Sequence, residues 1–175
     1  MSDNSSPWSK WSKKSINANL IAIISLMVLG TIIILYRALN WLLYLPLYWL
    51  FWGLFFIVGG YFACRHCDFL GKPCPTWYRG VIAGKLFKRS DKKTFMENPK
   101  WQFIFLNWSF FGVAMFAPYL VFLIALVDPV KNLNFIDDIL LILYLVVDLI
   151  TIILHSKGCK KCTINECPLN TAGKK

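Results

Sequence analysis

The sequence predicts an all-α integral membrane protein, a four-transmembrane-helix bundle built from two helical hairpins with both termini cytoplasmic. Three observations predict it. Of 175 residues, 57% are hydrophobic and only 16% charged, with a mean hydropathy of +0.53, too apolar for an ordinary soluble domain. Four segments are long enough to cross a hydrocarbon core about 30 Å thick, which takes about 20 residues at about 1.5 Å rise each. All but two of the 19 lysines and arginines fall in the N-terminal tail, the central loop and the C-terminal tail.

The elements follow in order. Residues 1–18 form a polar, basic tail, in which Trp8 and Trp11 suit the headgroup level, where indole rings are favoured. No small-residue cleavage site follows a short apolar run, so no cleavable signal is expected. Residues 19–63 form the first hairpin, whose spans 19–36 and 41–63 are joined by only "RALN". Residues 64–100 make a loop with three cysteines. Within it, 80–95 sets Val81, Ile82, Leu86 and Phe87 among lysines and reads as a short interfacial helix. Residues 101–155 form the second hairpin, with spans 103–127 and 138–155. Its joint opens with Asp128-Pro129, a helix stop followed by turn chemistry. Residues 156–175 form a tail with three more cysteines.

The hairpin joints hold only Arg37 and Lys131, so the positive-inside rule places both tails and the central loop in the cytoplasm. The expected location is a multi-pass position in a membrane of the prokaryotic cell-membrane kind. The net charge of +10 is accounted for by topology and attraction to anionic lipid, and no nucleic-acid partner is implied. Besides the lipid bilayer, a redox or membrane-complex partner and a homo-oligomer are compatible with the sequence.

The strongest chemical signal is a repeat. Cys64-x2-Cys67-x6-Cys74-Pro75 follows the second span, and Cys159-x2-Cys162-x4-Cys167-Pro168 follows the fourth. Cytoplasmic thiols are normally kept reduced, so structural disulfides are not expected. A CxxC pair can clamp one metal ion from a tight turn. The candidate metal ligands are therefore Cys64, Cys67, Cys74, Cys159, Cys162 and Cys167, with His155 as the favoured fourth donor and His66, Asp68 or water behind it. The implied cofactor is an iron-sulfur cluster or zinc. Cys-Pro ends bacterial ferredoxin runs, although neither spacing here matches that run. Competing readings of the same residues are juxtamembrane palmitoylation, a redox-active dithiol and apolar packing of free cysteine.

Inside the spans, Asp148 stands in "LYLVVDLITIILH", with Tyr144 and Thr151 one turn to either side on the same helix face. An ionised carboxylate there is costly, so Asp148 must face the bundle, be neutral or pair. Counting residues from the membrane face puts Asn107 at a similar depth, and an Asp148–Asn107 hydrogen bond is expected. Interhelical adhesion is its plain role; a proton-accepting role beside a redox centre is the sharper one.

No phosphate-binding glycine loop, zinc-protease helix, serine elbow or dinucleotide fingerprint is present. Whether the protein is an enzyme stays open. The expected function is a cytoplasmic-face cysteine metal site serving membrane electron transfer. The alternatives are an assembly protein stapled by zinc and a membrane thiol oxidoreductase using CxxC.

Overall fold

The computed structural model describes residues 12–38, 40–74, 76–90, 101–127 and 134–160. They form five α-helices: α1 (Lys13–Arg37), α2 (Trp41–Phe62), α3 (Arg79–Leu86), α4 (Trp101–Val127) and α5 (Phe135–Lys160), with one 3-10 turn at Cys64–His66. No strand occurs among the described residues. Four helices are long and apolar enough to cross a membrane, the architecture of a multi-pass membrane protein. A helix pairs most of its carbonyls and amides within itself, as a lipid environment demands, although Pro46 in α2 and Pro118 in α4 each withhold one donor.

Helix ends are set by local chemistry. Ser12 caps α1, its hydroxyl accepting the Ser15 N–H at 3.2 Å, which satisfies one of the orphan donors of the first turn. Ala38 turns extended and closes the helix by donating its N–H to the Ile34 carbonyl at 2.9 Å. Asn134 caps the start of α5, its side-chain oxygen accepting the N–H groups of Ile136 and Asp137. Helix α5 runs on past His155 to Lys160, so Cys159 lies in its last turn.

The core is built from Ile23, Leu26, Ile33 and Ile34 of α1, Tyr48, Trp52 and Phe55 of α2, and Phe111, Ala114, Met115, Val121 and Phe122 of α4. These recur at three- and four-residue steps, the spacing of one helix face. Trp52, Phe55 and Phe111 meet with ring centroids 4.9–5.9 Å apart, favourable edge and offset geometry. Gly30 has no room for a side chain against Tyr48 and Pro118, letting the helices approach closely as small residues do in membranes. Large apolar side chains such as Ile21, Leu42, Phe105 and Ile142 point outward, as expected where the surrounding solvent is lipid.

The closest packing joins helices from different halves of the chain: α2 lies against α4, and α1 against α5. The start of α1, the end of α2, α3 and the end of α5 all gather at one end of the bundle, the cysteine end. At the other end, Arg37 of α1 and Asp137 of α5 form a buried ion pair, next to a hydrogen bond from the Asn134 side chain to the Tyr36 hydroxyl.

Of the stretch 80–95 expected to be helical, the described residues are so only up to Leu86; Phe87 turns extended and ends the helix, its N–H donating to the Ala83 carbonyl. This helix, α3, packs against α2 and the 3-10 turn. It buries Arg79, Gly80 and Ala83 and leaves Leu86 exposed. Trp8, Trp11, Lys131, Cys162, Cys167 and the end of the 80–95 stretch lie outside the described residues.

Candidate functional site

After Phe62 the chain tightens into the 3-10 turn, and the first cysteine set is wound on backbone hydrogen bonds. The Cys67 N–H donates to the Cys64 carbonyl at 3.0 Å, and Leu70 donates to the Cys67 carbonyl at 3.1 Å. Backbone donors also reach the sulfurs: the Phe69 N–H points to Cys67 Sγ at 3.5 Å and the Gly80 N–H to Cys74 Sγ at 3.4 Å. Gly71 takes a left-handed φ of +78°, a conformation glycine adopts without steric cost, and its N–H bonds the Gly80 carbonyl at 2.8 Å. A Cβ at Gly80 would strike the carbonyls of Phe69 and Lys72, so the loop packs on α3 backbone against backbone. Cys64 and Cys74 are buried and Cys67 is half-buried. Arg79, Cys74 and Cys67 stand near enough to Cys64 to act on its thiol electrostatically.

The same loop then dives into the bundle. Trp77 and Tyr78 both hold left-handed backbone, φ 50° and 61°, which costs bulky residues of order 1–3 kcal/mol each and persists only where surroundings over-determine it. Here they do. The Trp77 ring is buried, stacked 5.0 Å from Phe111 and 4.3 Å from the His155 ring. Arg79 follows it inward: its guanidinium lies 3.7 Å over the Phe55 ring, donates to the Phe55 carbonyl, and donates to Asn107 Oδ1 at 2.7 Å. Gly59 makes this possible, since a Cβ there would collide with the guanidinium and with Asn107. Sequence reasoning singled out neither Trp77 nor Arg79. The available signal was a tryptophan and an arginine flanking a tyrosine beside Cys74-Pro75, opposite the Gly59-Gly60 pair at the end of α2.

The arginine corrects one expectation. Asn107 pairs with Arg79, and Asp148 instead accepts from the Tyr119 hydroxyl at 3.2 Å. Tyr119 lies twelve residues beyond Asn107 on α4, about 18 Å along the helix axis. Residue counting from the membrane face does not see the stagger between two helices, and Asn107 instead meets a charged donor from the start of α3.

On α5, His155 and Cys159 sit one turn apart, the sulfur 3.5 Å from Nε2. Trp77 therefore joins the loop of the first cysteine set to the helix that opens the second. Asp68 is exposed and ion-paired with Arg89 at 2.5 Å, turned away from this junction. Among the described residues, no three of His, Cys, Asp and Glu are gathered closely enough to hold a metal ion. Two of the six cysteines lie outside those residues.

The chain matches no protein-family model and no curated protein, and no solved structure matches it. Its class therefore rests on architecture: a multi-pass membrane protein of four apolar helices, roofed at one end by a cysteine-bearing loop.

Proposed function

We propose that this is a small integral membrane protein carrying a cysteine metal site on its cytoplasmic face, serving membrane electron transfer. Cys64, Cys67 and Cys74 supply one group of donors; His155, Cys159, Cys162 and Cys167 supply the other. The observation that carries the reading is the Trp77–His155 stack, because it brings the loop of one cysteine set to the helix of the other. The N–H groups aimed at Cys67 and Cys74 sulfur add support, since such donors favour the thiolate that a metal requires. The sidedness rests on the distribution of basic residues. An iron-sulfur cluster takes four cysteine donors and suits electron transfer; zinc in the same donors would be a structural staple.

The test is elemental analysis and an absorption spectrum of protein purified without oxygen in mild detergent, beside a variant with Cys64, Cys67, Cys159 and Cys162 all changed to Ser. The expected outcome is iron with sulfide and a visible band, both lost in the variant. Zinc near stoichiometric amounts, with unfolding on chelation, would replace electron transfer by assembly. A colourless, metal-free and fully stable preparation would overturn the metal site and leave dithiol chemistry.

A further inference from the structure

None of the residues that α5 buries is aliphatic: they are Asp137, Tyr144, Asp148, Thr151, His155, Gly158 and Cys159. Most of its isoleucines and leucines, among them Ile139, Ile142, Leu145, Leu149 and Ile152, point outward, while Leu140 and Leu141 pack partly buried against the core. Near the middle of this inward stripe stands Asp148, 6% exposed. Its Oδ2 accepts from Tyr119 at 3.2 Å, and its Oδ1 is buried without a hydrogen-bond partner among the described residues.

Among the described residues, no hydrogen bond or ion pair joins a cation to Asp148. The sequence has no lysine or arginine within α2 or α4, none in α1 between Lys14 and Arg37, and none in α5 before Lys157. Arg37 is bound to Asp137, eleven residues and about 16 Å away along α5. The groups that face Asp148 are hydroxyls: Tyr119 from α4, and Tyr144 on its own helix, whose ring lies 5.1 Å from that of Tyr119. Tyr48 of α2 stands next to Tyr144. Helix α1, packed along α5, contributes only Ala22, Ile23, Leu26, Gly30, Ile33 and Ile34 as fully buried residues between Asn19 and Arg37.

Adhesion alone does not call for an acid here. Tyr144 and Tyr48 satisfy their hydroxyls on the backbone carbonyls of Met115 at 3.0 Å and Met27 at 3.2 Å, and an asparagine would serve Tyr119 as well. What a carboxyl adds is an exchangeable proton. An ionised carboxylate at a helix centre in the bilayer costs about 2.5–3.5 kcal/mol even on the mildest scale, and such groups characteristically mark proton pathways.

We infer that Asp148, with the hydroxyls of Tyr119, Tyr144 and Tyr48, forms an intramembrane proton-binding site in which the carboxyl is held as the neutral acid. The inference goes beyond the proposed metal site and does not depend on what the cysteines hold.

The test treats the full-length protein in phosphatidylcholine vesicles with N,N′-dicyclohexylcarbodiimide, an apolar reagent to which a protonated carboxyl adds, and maps the adduct by mass spectrometry at neutral pH. The expected result is labelling of Asp148 and none of Asp137. In the infrared, the C=O stretch of a protonated carboxyl is expected in the unlabelled protein and lost in D148N. Y119F keeps the acid and removes its donor, so its band should remain and move to higher frequency. That variant and the labelling of the unaltered protein keep the test decisive if D148N fails to fold. An unlabelled Asp148 together with no protonated-carboxyl band would overturn the inference.

Discussion

Asp137 and Asp148 lie eleven residues apart on the buried face of one helix, 1% and 6% exposed, and the fold treats them in opposite ways. Asp137 meets Arg37 and also accepts the Asn134 N–H at 2.8 Å, so its charge is matched and its lone pairs are used. Asp148 meets one tyrosine hydroxyl and leaves an oxygen without a partner among the described residues. In a membrane bundle a matched buried charge is a structural clasp, whereas an unmatched acid is a group whose protonation state is available for use.

The largest expected effect breaks the clasp. D137N, or R37Q, leaves one buried charge uncompensated and should cost about 3–5 kcal/mol, whereas replacing both partners with apolar residues of similar size should recover most of it. Thermal unfolding in detergent measures this, and a mild single variant would erase the contrast with Asp148. Next comes the cysteine end. R79M removes charged hydrogen bonds worth about 1.5–3 kcal/mol and should loosen the loop, raising the rate at which maleimide modifies buried Cys64. G59A should act in the same direction, because its Cβ occupies the space of the guanidinium; an unchanged Cys64 rate in both would show that the loop is held by other contacts. D148N should be milder, near the ~0.6 kcal/mol average of polar contacts between membrane helices. A loss as large as that of D137N would make Asp148 a clasp too. Y119F should have the smallest effect on stability, registering mainly in the infrared band of the acid.

Much of the bundle was legible. Apolar length alone located four spans, because a bilayer-sized run of isoleucine, leucine and phenylalanine has few other stable uses in water. Asp148 stood out for the converse reason, as an acid where a charge is expensive. The partners were not legible. Asn107 was matched to Asp148 by counting depth, and the contact that actually forms depends on Arg79, at the start of α3 and 28 residues upstream. Trp77 escaped notice because a tryptophan near a membrane end has a ready explanation at the headgroup level, and nothing local announces that its backbone turns left-handed to reach His155.

The sequence by itself determined the environment, the number of crossings and the grouping of cysteines after the second and fourth spans. These follow from composition and one-dimensional spacing, which lipid solvation reads directly. Only the tertiary structure decided that α1 lies chiefly against α5 and α2 against α4, that Arg79 enters the bundle to meet Asn107, and that Asp137 is matched while Asp148 is not. Those choices depend on helix stagger and on close approach at glycines such as Gly59, properties of how surfaces meet that no single segment carries.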